Sequence, residues 1–132
     1  MTHEKTLTLY TDGASKGNPG PASIGASLLE NNREIATVSQ AIGIATNNIA
    51  EYTALREGLK KAISLGYHNI QVMADSELMI KQLNKEYKVK NPDIKIIYDQ
   101  IQKLLSHFTS IKFTHVRREK NVRADELANL AL

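Results

Sequence analysis

Hydrophobic and polar residues alternate with a period of two along most of the first 45 residues. This period is typical of strands and predicts three of them, over residues 6–11, 22–29 and 34–42. The turn "ENNRE" between the second and third has the length of a hairpin connection, so we expect these two strands to pair antiparallel. A longer loop, residues 16–21 (KGNPGP), separates the first two strands and holds more glycine and proline than a tight turn needs.

The period changes to 3.6 from Asn48, which predicts a helix that ends at "LGYHN". Its apolar face consists of Ala50, Ala54, Leu55, Leu59, Ala62 and Ile63. The rest of the chain predicts a strand at "IQVMA", a helix over residues 76–83, a polar connection "NKEYKVKNPD" and a helix over residues 94–105. A fifth strand at "IKFTHV" and a last helix from Asn121 to the C-terminus complete the pattern.

The order β-β-β-α-β-α-α-β-α predicts an α/β fold with one five-stranded mixed sheet and helices packed on it. Strands that are joined through helices should be parallel, because such crossovers are right-handed, and they should lie beside an antiparallel hairpin edge. A length of 132 residues suits one domain over residues 1–132.

Composition narrows the class of protein further. No apolar run is long enough to span a bilayer and no signal-peptide pattern opens the chain, so we expect a cytoplasmic protein without membrane contact. The absence of cysteine excludes disulfides, thiolate metal sites and cysteine nucleophiles.

The net charge of +3 is unevenly distributed. Residues 1–80 carry 6 basic and 8 acidic side chains, whereas residues 81–132 carry 11 basic and 6 acidic ones. A basic second half fits an anionic partner such as a nucleic acid, although surface lysines also serve solubility.

Four carboxylates stand at predicted element ends or in first helical turns: Asp12, Glu51, Asp75 and Asp125. Each has a structural interpretation. Asp12-Gly13 is a common turn pair, Asn48 to Glu51 has the form of a capping box, Asp75-Ser76 offers an N-cap, and Asp125 suits a helix dipole.

Together, the same four residues predict a metal site. If the first and fourth strands are parallel neighbours, Asp12 and Asp75 emerge at the same carboxyl edge of the sheet, which Glu51 and Asp125 could reach from their helices. Convergent carboxylates repel each other unless cations lie between them, and all-oxygen ligation suits Mg²⁺ or Mn²⁺. Two such ions can activate a water and stabilise a leaving oxygen in phosphodiester cleavage.

Over essentially its whole length the chain resembles the type 1 ribonuclease H family. The matching stretches are "YTDGASKGNPGPASIG", "TNNIAEYTALREGL", "ADSELMIKQL" and "NVRADELANLAL". The resemblance implies the ribonuclease H-like arrangement of three antiparallel and two parallel strands with helices on both faces. It also implies that Asp12, Glu51, Asp75 and Asp125 are the catalytic, metal-binding carboxylates for two Mg²⁺ or Mn²⁺ ions.

The resemblance further implies a substrate, the RNA strand of an RNA–DNA hybrid, cut to leave 5′-phosphate and 3′-hydroxyl ends. Asn18 matches a position that touches the minor groove of the hybrid, and Thr46 to Asn48 match a segment that contacts phosphates and bases. The expected nucleic-acid-binding residues are Gly13, Ser15, Asn18, Thr46, Asn47, Asn48, Ser76 and Glu77. No protein partner is implied, and a monomer is expected.

Two features of many relatives are missing from this chain. The long basic protrusion that well-studied bacterial members carry is replaced by "NKEYKVKNPD". The second feature is a catalytic histidine that many relatives carry on a loop before the last acid. Counting back from Asp125 places His115 at this position. Alignment by pattern instead makes His115 the end of the fifth strand, and Arg118 is then the nearest polar residue that could assist catalysis.

These departures keep a second function open. The leading hypothesis is a metal-dependent endoribonuclease acting on RNA–DNA hybrids. The alternative is a weak or inactive nucleic-acid-binding module that keeps the ribonuclease H fold, and cleavage of double-stranded RNA is a further substrate hypothesis.

Overall fold

A computed structural model describes residues 3–132 of the protein, with side chains from residue 5 onward. The first half holds β1 (His3–Ser15), β2 (Gly20–Glu30), β3 (Arg33–Ala45), α1 (Asn47–Ser64) and β4 (Tyr67–Ala74). The second half holds α2 (Glu77–Leu83), α3 (Pro92–Leu105), β5 (Ser110–His115), a short 3-10 turn (Arg118–Lys120) and α4 (Val122–Leu130). This is the predicted order of elements.

The strands form one five-stranded sheet in the order β3-β2-β1-β4-β5. β1 and β3 pair antiparallel with β2, while β4 pairs parallel with both β1 and β5. The predicted mixed sheet with an antiparallel hairpin edge is therefore confirmed. None of the helices described is both long and apolar enough to cross a membrane.

Helices cover both faces of the sheet. Gly25 pairs with Asp12, so it lies on the opposite face from Gly13, the next residue of β1. A Cβ on Gly13 would stand 2.3 Å from the Ala50 carbonyl carbon in α1, and a Cβ on Gly25 would stand 2.2 Å from the Ala124 oxygen in α4. Each of the two helices therefore approaches the sheet backbone where the strand carries no side chain.

The core lies between the sheet and the α1–α3 layer. Leu7 and Leu9 of β1 are fully buried beneath Leu55 and Leu59 of α1, and Ile101 of α3 is buried in the same cluster. This burial explains why the helical period of α1 was readable from the sequence. Its small residues face neighbouring elements, while its larger leucines fill the core.

β1 extends further than predicted. It continues through Asp12 to Ser15 instead of ending in a turn after Thr11, because residues 12–15 keep antiparallel partners in β2. The turn interpretation of Asp12-Gly13 is therefore wrong. The parallel pairing with β4 does stop at Thr11 and Ala74, so the two parallel strands separate there.

Candidate active site

A cavity of about 410 Å³ opens where β1 and β4 separate, and all four predicted acids line it. Asp12 and Asp75 each follow the last residue of their strand in the β1–β4 pairing, so the parallel register brings them to the same edge. Glu51 comes from α1 on one face of the sheet, and Asp125 from α4 on the other. Four elements thus converge on one cavity, as predicted.

Glu51 is held by the backbone of β1. The Gly13 N–H donates a 2.6 Å hydrogen bond to Glu51 Oε1. A side chain on Gly13 would collide with the backbone of Ala50 and Glu51, at 2.3 and 2.4 Å, so glycine is needed for this approach. The position of the carboxylate is therefore fixed by a strand far from it in sequence.

The predicted capping box at Asn48 is wrong. α1 begins at Asn47, its N-cap is Thr46, and the Thr46 hydroxyl accepts a hydrogen bond of 3.2 Å from the Ile49 N–H. Thr46 supplies the cap that Asn48 was expected to supply. Glu51 consequently does not reach back to the helix start and is directed to the cavity.

The N-cap predicted at Asp75-Ser76 is confirmed, and Ser76 rather than Asp75 supplies it. The Ser76 hydroxyl caps α2 by accepting a hydrogen bond of 3.3 Å from the Met79 N–H. One carboxylate oxygen from each of Asp12, Glu51 and Asp75 lies within 4.8 Å of the others, which is the arrangement of a cation site. Asp125 lies outside this triplet but interacts with the Asp12 carboxyl through a side-chain hydrogen bond.

Burial and mutual repulsion dominate the electrostatics of these acids. Asp12 and Glu51 are only 7% and 6% exposed. Burial, followed by the charge of Glu51, raises the pKa of Asp12 well above its ordinary range. Burial also raises the pKa of Glu51, although its hydrogen bonds with Asp12 and the Gly13 N–H act in the opposite direction. The folded protein therefore retains protons here, or needs another cation in their place.

Several predicted nucleic-acid-binding residues share this cavity: Gly13, Ser15, Asn47, Asn48 and Ser76 line it beside the acids. Ala14 also lines it and was not singled out, because an alanine carries no chemical signal in the sequence.

The three other predicted binding residues do not line the cavity. Asn18 lies beside it and accepts a 3.0 Å hydrogen bond from the Asn47 N–H, while Thr46 caps α1. Glu77 is in the first turn of α2, where it forms an ion pair of 3.8 Å with Lys81.

The two auxiliary candidates are separated by the structure. Arg118 lies on the 3-10 turn and lines the cavity, and its positive charge acts to lower the pKa of Glu51. His115 is the exposed last residue of β5, paired with Ala74, and does not line the cavity. The interpretation of His115 as a strand residue is therefore confirmed.

A second cavity, of about 330 Å³, lies at the α2–α3 connection. Lys85, Lys88 and Lys95 line it together with Tyr87 and Tyr98. The Lys85 Nζ donates a 3.0 Å hydrogen bond to the Tyr98 hydroxyl. We call this the lysine–tyrosine cavity.

The lysine–tyrosine cavity and the acid cavity share no lining residue, but both share lining residues with a third cavity beside α2. This smaller cavity shares Asn48, Glu51 and Ser76 with the acid cavity, and shares Gln82 with the lysine–tyrosine cavity. An acidic cavity and a basic cavity therefore lie near opposite ends of α2.

Comparison with known proteins agrees with this architecture. A family model described as reverse transcriptase-like matches residues 10–131. Ribonuclease HI of Halobacterium salinarum is 44% identical over 124 residues, which cover 93% of this chain and 62% of that protein. Ribonuclease HI of Haemophilus ducreyi is 32% identical over 145 residues, covering 96% of this chain and 90% of that protein. A bifunctional protein of Mycobacterium tuberculosis is 43% identical over 128 residues, but the match covers 96% of this chain and only 35% of that protein.

Solved structures show the same relationship. RNase H1 of Halobacterium salinarum superposes with a TM-score of 0.92 at 41% identity, covering 96% of both chains. LC11-RNase H1, in complex with an RNA/DNA hybrid, superposes with a TM-score of 0.91 at 38% identity, covering 95% of both chains. These superpositions confirm the predicted ribonuclease H-like fold. The chain belongs to the ribonuclease H family.

Proposed function

We propose that this chain is a metal-dependent endoribonuclease that hydrolyses the RNA strand of RNA–DNA hybrids, giving 5′-phosphate and 3′-hydroxyl ends. The observation that carries the proposal is the triplet of Asp12, Glu51 and Asp75, whose oxygens lie within 4.8 Å of one another in an open cavity. The solved complex of LC11-RNase H1 with an RNA/DNA hybrid supports the substrate. The match to only part of some relatives leaves the activity of any longer protein a separate question.

The residues present fit divalent cations. The donor set is entirely carboxylate oxygen, which suits Mg²⁺ or Mn²⁺. Burial and the charge of Glu51 raise the pKa of Asp12, and a bound cation would offset the same repulsion. Asp12, Glu51 and Asp75 would hold the ions, with Asp125 completing the site from α4. Two bound ions supply activation of the attacking water and stabilisation of the leaving oxygen.

Other groups of the cavity have roles in binding and orientation. Asn47 and Asn48 at the start of α1 offer side-chain amide donors to phosphates, while the Asn47 N–H is already bonded to Asn18. The Arg118 guanidinium is placed to bind a phosphate or assist the leaving group. Polar donors beside exposed backbone suit recognition of the 2′-hydroxyl, which distinguishes RNA from DNA.

The alternative is a nucleic-acid-binding module with little or no activity. This alternative is favoured by the short segment between β5 and α4, which contributes no histidine to the lining of the acid cavity. Cleavage of a labelled RNA–DNA hybrid in Mg²⁺, Mn²⁺ and EDTA separates the two functions. Metal-dependent cutting supports the enzyme, whereas hybrid binding without cutting supports the module.

We expect Asp12→Asn to abolish cleavage while the protein remains folded. The variant keeps the side-chain volume but removes a negative oxygen from the centre of the triplet. The matched control is Asp93→Asn, an exposed acid in the first turn of α3, which should cleave like the wild type. The measurement is the cleavage rate of a labelled hybrid, together with circular dichroism. Substantial residual activity of Asp12→Asn would refute the assignment.

In the absence of divalent ions, we expect the wild type to lose stability as the pH rises from about 5 to about 8. The folded state raises the pKa of Asp12 and Glu51, so above the ordinary carboxyl range near 4 it binds more protons than the unfolded chain. The stability that these protons contribute is complete below the unfolded pKa and is lost as the pH rises towards the raised value.

The measurement is the midpoint of thermal unfolding in EDTA at the two pH values. The unfolding midpoint of Asp12→Asn should decrease less than that of the wild type, because the amide does not ionise. Addition of Mg²⁺ at the higher pH should restore the unfolding midpoint of the wild type. Identical pH dependence in both proteins would contradict the assigned repulsion.

We expect Arg118→Ala to reduce the cleavage rate and His115→Ala to leave it unchanged. Arg118 lines the acid cavity, whereas His115 ends β5 outside it. The two exposed residues lie on the same segment, so each variant is the control for the other. Rates at saturating hybrid measure the difference, and a loss confined to His115→Ala would reverse the roles.

We expect Lys85→Gly to weaken hybrid binding without lowering stability. Lys85 has a φ of +65°, a conformation that costs a lysine roughly 1 kcal/mol of folding free energy and a glycine little. The relief of this strain in Lys85→Gly should offset the loss of the hydrogen bond to Tyr98. We assume that the hybrid backbone extends to the lysine–tyrosine cavity, where Lys85 would contact a phosphate. Loss of that contact should also make the salt dependence of binding shallower.

Binding is measured with Asp12→Asn as the parent, from about 50 to 200 mM salt. Asn32→Gly, at a φ of +62°, controls for the backbone change, and Lys103→Ala controls for a lost charge outside the lysine–tyrosine cavity. Unchanged affinity and salt slope in Lys85→Gly would exclude this cavity from the hybrid interface.

A further inference from the structure

Asn121 immediately precedes α4 but does not cap it. Asparagine is among the preferred N-cap residues, yet this side chain makes no capping hydrogen bond. Its Nδ2 instead donates a 2.9 Å hydrogen bond to the backbone oxygen of Thr11 in β1, a residue 110 positions earlier. The side chain is 1% exposed, so it is enclosed by protein rather than by water.

The partner of this hydrogen bond lies at the point where the sheet opens. Thr11 is the last β1 residue in the pairing with β4, and the next residue is Asp12. The Asn121 backbone oxygen also accepts a 3.1 Å hydrogen bond from the Asp125 N–H, within the first turn of α4. Asn121 therefore joins the backbone that precedes Asp12 to the helical turn that carries Asp125.

The rest of α4 is attached to the sheet by other groups. The Ser39 hydroxyl donates a 2.6 Å hydrogen bond to the Leu127 oxygen, and the Ser23 hydroxyl donates to the Ala128 oxygen. On the exposed side, Arg123 forms an ion pair of 2.9 Å with Glu34. The two serine contacts hold the C-terminal half of the helix and the ion pair holds its exposed N-terminal side, whereas Asn121 is the buried attachment of the N-terminal end to β1.

The geometry also carries a local cost. Within the described residues, Asn121 Oδ1 is buried without a hydrogen-bond partner, and the amides at the start of α4 lack a side-chain cap from this residue. A serine would cap the helix without burying an amide oxygen. Stability of the helix start alone therefore does not explain an asparagine at this position.

We propose that Asn121 is a positioning residue that sets Asp125 relative to Asp12 and thereby tunes the affinity of the acid cavity for divalent cations. The proposal rests on the metal-dependent function proposed above. Hydrogen bonds that orient metal ligands typically change metal affinity or activity 10–100-fold when they are removed. In this protein the hydrogen bond from Asn121 orients the end of β1 that precedes Asp12 relative to the first turn of α4, and not the side chain of one ligand.

The test compares Asn121→Ala and Asn121→Ser with two controls. Both variants remove the donor to Thr11, and serine adds a hydroxyl that is among the preferred N-cap groups. Circular dichroism selects the variant that is folded for the comparison. Asn129→Ala removes an exposed asparagine of α4 that donates a 3.0 Å hydrogen bond to the Asp125 oxygen. Ile101→Val shortens a fully buried core residue of α3 and lowers stability at a distance from the acids.

Mn²⁺ binding is measured by calorimetry without nucleic acid, and kcat and KM are measured with hybrid. Both Asn121 variants should bind Mn²⁺ roughly 10-fold more weakly than the wild type. At a fixed Mn²⁺ concentration their kcat should be lower and their KM for hybrid unchanged. Excess Mn²⁺ should return kcat to the wild-type value. The two controls should bind Mn²⁺ like the wild type.

Wild-type Mn²⁺ affinity in Asn121→Ser would overturn the positioning role and leave the proposed function intact. Equally weak Mn²⁺ binding in Ile101→Val would also overturn it, because the loss of affinity would then result from lower protein stability and not from the position of Asp125. Absence of Mn²⁺ binding and of cleavage in the wild type would overturn the metal-dependent function and this proposal together.

Discussion

Repulsion between buried carboxylates is the constraint on which the rest of the site depends. Asp12 and Glu51 are almost inaccessible to water, and together with Asp75 they place three oxygens within 4.8 Å. Water cannot screen these charges at such burial, so the fold must hold the acids together against their mutual repulsion. What the surrounding elements contribute is rigidity, supplied by close backbone contacts and by buried side-chain hydrogen bonds to the backbone.

Two glycines make that rigidity possible. Gly13 lets α1 approach one face of the sheet so closely that its own N–H binds Glu51, and Gly25 lets α4 approach the other face. The sheet is thus clamped between helices at neighbouring register positions, directly beside Asp12. A packed backbone has few ways to relax, and each acid therefore keeps its position when the charge of the cavity changes.

The sequence predicted the parts of this arrangement that local patterns encode. Strand alternation and helical periodicity identified the order of elements. That Asp12 and Asp75 share one edge needed the further hypothesis that β1 and β4 are parallel neighbours, which the observed register confirms. Details that depend on distant contacts were not predictable. The prediction of Asn48 as the N-cap was wrong because α1 begins earlier and Thr46 caps it. The extension of β1 past Asp12 depends on its pairing with β2, which is distant in sequence. Asn121 was placed only as a helix start, since its partner Thr11 lies 110 residues away.

The short segment between β5 and α4 follows from the same constraint. β5 continues to His115 because its pairing with β4 extends to Ala74, the residue before Asp75. Asn121 must be buried under β1, so only residues 116–120 remain to join the two anchors, and a 3-10 turn uses three of them. Five residues, three of them in a 3-10 turn, are too few to form a long mobile loop. A long side chain such as Arg118 can still reach the cavity from this turn, which is why an arginine, and not the strand histidine, faces the acids.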